Sequence, residues 1–312
     1  MIVRGFRVGP LVRKTGSEVL EDGVLNLAAE NAYYFFFSIF PLFLFAAPLI
    51  SLIAPKQRIF GWVMGQLATS VPNDALAVVR GVVKDVVFSP SAPGLLSVGA
   101  LLSAWAGTNV FGSLMSALNT AYDVTETRPW WKQKLIALLA VAGSGVLLMV
   151  SSAIFLGGPE VARWLGARTG AGAMFTTAWL GLQYALAFGF LVLMMWLIYF
   201  FLPNQRQSAR QILVGAVVAA VLWIVGTLAF RLYVGHFGSY NKTYGTIGGV
   251  IVLLTWMYLT MLVILVGGEL NSELHHGTGS VDPRAGAVYA GRIVTAEEPD
   301  RASPDRPTGA RV

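Results

Sequence analysis

Thr243 to Gly268 reads TYGTIGGVIVLLTWMYLTMLVILVGG, 26 residues without one Asp, Glu, Lys or Arg. A helix rising about 1.5 Å per residue needs about 20 such residues to cross a hydrocarbon core of about 30 Å. In lipid the backbone must satisfy its own hydrogen bonds, which leaves a helix or a closed barrel. Barrel strands are short and alternate with period two. Ile247–Val266 is predominantly apolar on every face instead, so this stretch predicts a membrane-spanning helix.

The same reading extends outward in both directions. Windows 31–55, 86–122, 135–159, 169–205 and 211–230 are equally free of charge. The six windows cover 170 of the 312 residues, and the other 142 hold all 38 charged side chains. Such segregation excludes a single soluble domain, a disordered chain and a disulfide-stapled secreted domain. The chain has no cysteine, which removes disulfides, thiolate metal ligands and a Cys nucleophile. Three histidines leave no basis for a multi-His metal site. A net charge of +6 fits loops that meet anionic headgroups and needs no nucleic acid.

The predicted fold is all-α and polytopic, with spans at about 32–54, 95–118, 135–156, 177–202, 212–234 and 246–270. Pro41 and Pro48 fall inside the first span and free carbonyls there, tolerable only against other helices. Residues 55–94 read as an amphipathic extracytoplasmic segment, with Arg80, Lys84 and Asp85 opposite an apolar face. Residues 1–30 form a cytoplasmic segment without the apolar stretch of a signal peptide, so the first span is expected as an uncleaved anchor. Residues 157–173 read as a Gly-rich connection with room for a short helix around Glu160–Leu165, and 272–312 as a disordered cytoplasmic tail. Six spans put both termini on one side. The two short loops on that side, 119–134 and 203–210, carry 5 Lys and Arg in 24 residues against 7 in 67 for the opposite loops, a density that predicts both termini in the cytoplasm of a bacterial inner membrane.

Four groups of polar residues lie near the spans. Glu30 and Asn31, beside Tyr33 and Tyr34, either anchor the first helix at the interface or reach a polar cavity. Gly99, Ser103 and Gly107 form a small-residue stripe that reads first as helix packing. Asn109, at mid-span, needs a partner. The functional version of this helix is a conduit lined by Thr108, Asn109 and Asn119. Arg231, Tyr240, Asn241, Lys242 and Tyr244 either snorkel to the outer headgroups or receive an anionic headgroup or substrate. The Gly245–Gly249 run after them is expected to let the backbone turn tightly and approach a neighbour. Glu269, Glu273 and His276 share a helical face near Asn271. A structural ion-pair cluster with Arg128, Lys132 or Arg206 is favoured there over a metal site.

Three segments together resemble the YihY/BrkB family of bacterial integral membrane proteins. They are Ala32–Leu42 (AYYFFFSIFPL); Gly107–Phe111 (GTNVF) with Leu118–Val124 (LNTAYDV) and Glu126–Trp131 (ETRPWW); and Phe237–Gly248 (FGSYNKTYGTIG) with Gly268–Leu274 (GELNSEL). The resemblance covers roughly residues 15–275. It implies a six-span inner-membrane protein with suggested roles in transport or envelope lipids, and an old label of ribonuclease BN. No phosphate loop, G-x-S-x-G elbow or H-E-x-x-H is present, and the carboxylates do not group as a two-metal nuclease requires.

The leading expectation is therefore movement, without ATP, of a lipid or an anionic solute. Membrane lipids are the partners, with no cofactor, no metal and no nucleic acid. The alternative is a non-catalytic scaffold that docks envelope proteins through 55–94. A ribonuclease is the least supported reading.

Overall fold

The computed structural model describes residues 2–3, 6–53, 57, 61, 92–169, 172–205, 207–236 and 240–277. A two-residue hairpin, β1 (Ile2–Val3) and β2 (Phe6–Arg7), precedes seven helices among these residues. They are α1 (Val8–Glu21), α2 (Val24–Ile53), α3 (Ala92–Ala121), α4 (Trp130–Thr169), α5 (Gly172–Phe201), α6 (Ala209–His236) and α7 (Tyr240–His275). The protein is an all-α, polytopic membrane protein. Five helical segments are long and apolar enough to span: Ser97–Ala121, Trp130–Ser151, Thr177–Phe201, Ala209–Val234 and Gly248–His275. The segment expected as the first span lies in α2, a sixth long helix. Most of 55–94, and the tail beyond residue 277, fall outside the described residues.

Each long helix packs on the next in the chain, and α7 closes on α2, so α2 to α7 form a ring. α3 also reaches α7 across it. The buried core lies toward one end and includes Leu114, Leu118 and Tyr122 of α3, Tyr199 of α5, Ala216 and Ala219 of α6, and Leu265 of α7. Leu11 of α1 packs with Leu274 of α7, which brings the N-terminal helix and the end of α7 together. We call this the terminal end. The α3–α4 and α5–α6 loops share it.

Glycines set the helix spacing. A Cβ on Gly99 would meet the Leu44 carbonyl of α2 at 2.7 Å. Leu44 is four residues before Pro48, which has no N–H to offer that carbonyl, so the freed group lies against a neighbouring helix. Ser103 Oγ donates to the Pro41 carbonyl at 2.7 Å. A Cβ on Gly107 would meet Val141 of α4 at 2.7 Å. The stripe on α3 is thus a packing device on two sides.

Three expectations about helix ends are corrected. α4 runs unbroken through Gly157, Gly158 and Pro159 to Thr169, where a connection was expected. The Trp179 ring of α5 occupies the space a Cβ on Gly158 would need, so that glycine serves close approach rather than a turn. α7 likewise starts at Tyr240 and is helical through Gly245–Gly249, where a tight turn was expected. The polar segment expected from Ser272 is still helix to His275, and Ser272 and Glu273 are buried.

Candidate functional site

The polar residues at the terminal end separate into a clamp, an acidic pocket and a crevice. The clamp begins where α3 ends. Val124 donates its N–H to the Asn119 carbonyl and Asp123 donates to that of Thr120, with Asp123 at φ 52. This is the paired closure of a Schellman motif, with Asp123 in the left-handed position that glycine usually fills. The chain then turns so that Glu126 meets Arg128. Arg128 Nε donates to Glu126 Oε1 at 2.8 Å and Nη2 to Oε2 at 2.7 Å, a bidentate pair. Arg128 Nη2 also donates to the Leu202 carbonyl at 2.7 Å, capping the end of α5. Asn119 Nδ2 donates to Glu126 Oε2 at 2.9 Å, and its Oδ1 accepts from the Asn204 N–H at 2.7 Å. Arg128 is therefore paired with Glu126 and not with the α7 carboxylates. The Arg128 guanidinium holds the Glu126 carboxyl down to about 2, with its backbone N–H and Asn119 assisting and burial opposing.

The acidic pocket is built by α7. Glu269, Asn271 and Glu273 are all buried. Asn271 Oδ1 accepts from the Gly215 N–H of α6 at 3.0 Å. A side chain at Gly215 would collide with Asn271, so the glycine makes room for this contact. Glu269 Oε1 and Glu273 Oε2 are buried without a hydrogen-bond partner. Among the described residues the ion pairs are Lys14–Glu18 and Arg128–Glu126, and neither involves α7. The expected cation partners of Glu269 are thus corrected: Arg128 is taken by Glu126, Lys132 lies over its neighbour Trp131, and Arg206 lies outside the described residues. His276 is exposed in the turn after α7. Among the described residues no group of three His, Asp or Glu is placed to hold a metal.

Other expected site residues are dispersed. Asn109 Oδ1 accepts from Lys134 Nζ of α4 at 3.4 Å, the partner its depth required. Asn31 is fully buried on α2, its Nδ2 donating to the Leu27 carbonyl. Glu30 is exposed and accepts from Ser113 Oγ at 3.3 Å. Arg231 is exposed near the far end of α6, away from Asn119. Tyr240, Asn241, Lys242 and Tyr244 belong to α7, and their side chains lie outside the described residues.

The crevice was not expected. It has a volume of about 230 Å³ and lies between α3, α4 and α5. Phe111, Leu139, Gly143, Met194, Ile198 and Phe201 are among its lining residues, which are nearly all apolar. Arg128 closes its terminal end from outside by binding the Phe201 and Leu202 carbonyls. Next to it α4 opens with Trp130 and Trp131, both exposed, followed by Lys132 and Lys134. The only advance signal was the Trp130-Trp131-Lys132 run beside an apolar span.

Comparison with known proteins agrees with this architecture. The family model described as virulence factor BrkB matches residues 15–288. The chain is 31% identical over 248 residues to the ribonuclease-like protein YfkH of Bacillus subtilis (strain 168), covering 80% of this chain and 89% of that one. It is 28% identical over 284 residues to a UPF0761 membrane protein of Cronobacter sakazakii (strain ATCC BAA-894), covering 86% and 90%. With UPF0761 membrane protein NMB0524 of Neisseria meningitidis serogroup B (strain ATCC BAA-335 / MC58) it shares 29% over 198 residues, 62% of this chain but 46% of the longer relative. No solved structure matches the chain.

Proposed function

The chain belongs to the virulence factor BrkB family of membrane proteins, and from that premise we propose that it binds and moves a lipid with an anionic head. It does so without ATP, in the bacterial cytoplasmic membrane, with the terminal end facing the cytoplasm. The observation that carries this reading is the apolar crevice between α3, α4 and α5, whose first lining residue on α4, Ile136, follows the Trp130–Lys134 turn in the chain. An apolar cleft of this kind takes an acyl chain. Trp130 and Trp131 suit the headgroup level, and the exposed Lys132 supplies the charge an anionic head seeks. On this reading the working surface is the α3–α5 face, and Arg231 and Lys242 mark the alternative site at the other end of the bundle.

The ribonuclease-like name of the Bacillus relative points elsewhere, but the side chains here favour lipid. Metal-dependent cleavage would need grouped carboxylates in water-accessible geometry, and the acidic side chains of α7 are buried.

The test is lipid movement by purified protein in liposomes, followed with fluorescent phospholipids. Gly143 lines the crevice, and a Cβ there meets nothing within 4 Å. Gly143→Leu should fill the cleft without disturbing packing and cut the rate at least tenfold; Arg231→Ala should leave it nearly unchanged. If no lipid moves with wild-type protein, the function is wrong. A rate indifferent to Gly143→Leu and lost with Arg231→Ala would return the site to the other end of the bundle.

A further inference from the structure

The outer face of α3 changes composition half-way along. Val98, Leu102 and Trp105, spaced as one helical face, are exposed and apolar, as contact with lipid requires. The same face continues as Asn109, Gly112, Ser113, Ser116 and Thr120, all partly or fully exposed. From Asn109 to Thr120 the helix rises about 16 Å, half of a hydrocarbon core of about 30 Å. A face met only by acyl chains would leave these polar groups without partners.

Both flanking helices bring charge to this polar half. From α2, Glu30 Oε1 accepts from Ser113 Oγ at 3.3 Å. From α4, Lys134 Nζ donates to Asn109 Oδ1 at 3.4 Å. Neither belongs to an ion pair among the described residues. Lys134 also points the wrong way for an anchor. Gly107 lies against Val141, so in this antiparallel pair Lys134 is level with Leu114 of α3. Asn109 is about 7.5 Å deeper. A lysine near a helix end ordinarily snorkels out to the headgroups. This ammonium reaches into the span instead, to a neutral amide that leaves its charge uncancelled. Between the two charges the floor is open, since a Cβ on Gly112 meets nothing within 4 Å. Tyr33 and Tyr34, a turn beyond Glu30, are exposed rings of the kind that suit an ammonium.

We propose that the polar half of this face, between Glu30 and Lys134, is a furrow that binds the head of a zwitterionic phospholipid, its phosphate at Lys134 and its ammonium at Glu30. Asn109 and Ser113 are one turn apart, with Cβ atoms about 5–6 Å from each other. A phosphate and an amine joined by two carbons bridge such a gap. The apolar Val98–Trp105 half continues where that lipid's chains run. A head with negative charge alone satisfies Lys134 but is repelled by Glu30, so the furrow discriminates by the amine. Lys134 and Ile136, two apart on α4, do not share a face. The furrow and the crevice are therefore separate, and the furrow binds a head whether or not the crevice moves a lipid.

The experiment is native mass spectrometry of the full-length protein in detergent. It counts the phosphatidylethanolamine and phosphatidylglycerol retained from an equimolar mixture with matched acyl chains. Wild type should retain the ethanolamine lipid in excess. Glu30→Gln keeps an acceptor for Ser113 and should remove that preference. Lys134→Gln keeps a donor for Asn109 and should lower retention of the ethanolamine lipid about fivefold, the effect of one cation facing a phosphate. Gly112→Leu should displace this lipid, whereas Gly143→Leu, in the crevice, should leave the preference intact. If Lys134→Gln does not elute as a folded, monodisperse protein, Gly112→Leu decides, because its added side chain enters open space. Equal retention in wild type, a preference that survives Glu30→Gln, or retention indifferent to Gly112→Leu overturns the proposal. So does a preference lost in Gly143→Leu, which would return the lipid to the crevice. A dimer that Gly112→Leu dissociates also overturns it, by making this face a contact between two copies of the chain.

Discussion

At the scale of single residues, Glu126 has the clearest electrostatic signature. Arg128 binds it by two side-chain bonds and by the backbone N–H at 2.9 Å. The folded carboxyl is depressed from 4.5 to about 2, so its stabilising contribution is complete above 4.5 and disappears as pH falls through about 2. Allowing for partial solvent contact, that contribution is roughly 2 kcal/mol. Thermal unfolding in detergent should therefore show wild type losing its advantage over Glu126→Gln across that interval, with the two converging at the acid end. Arg128→Ala should be worse than Glu126→Gln at neutral pH, because it also uncaps the Phe201 and Leu202 carbonyls. Asn119 and Arg128 could be singled out in the sequence as polar residues beside a span. Glu126 could not, because residues two apart do not face each other on a helix. Only the non-helical course after Asp123 brings its carboxyl around to Arg128.

Among the elements, close approach is governed by glycine, and Gly267 shows it best. A Cβ there would lie 2.2 Å from the Tyr199 hydroxyl and 2.7 Å from the Ala219 Cβ. The hydroxyl is fixed, since it donates to the Ile264 carbonyl at 2.7 Å from a fully buried ring. Gly267→Ala should destabilise the protein by about 2 kcal/mol through overpacking. Tyr199→Phe removes the offending atom, so Gly267→Ala with Tyr199→Phe should cost less than the sum of the two single changes. A melting-temperature cycle measures this; strict additivity would mean that α7 and α5 are not in register as described. The same physics explains what was misread along the chain. Charge-free windows located the helices because lipid imposes a single composition on all of them. The end of α4 was misplaced at Gly157–Pro159 because the local signal, a run of glycine, is identical for a turn and for a close contact. Trp179, 21 residues beyond Gly158, decides between them.

For the whole molecule, the ring of helices puts the clamp, the buried carboxyls of α7 and the Phe201–Leu202 end of the crevice at one end. α4, at 40 residues, is about 60 Å long, twice the hydrocarbon thickness, so its second half projects past the opposite face. Which end faces the cytoplasm is decided by Lys and Arg in short loops. The two loops at the terminal end, 119–134 and 203–210, hold five of them. The chain has no cysteine, so single Cys substitutions report orientation without background. Arg13 on α1 and Ala167 near the far end of α4 are both exposed. With a membrane-impermeant maleimide on intact spheroplasts, Ala167→Cys should label and Arg13→Cys should label only after the membrane is opened. The reverse pattern would invert the molecule and carry Lys132, Lys134 and the Glu269 pocket to the outer face together.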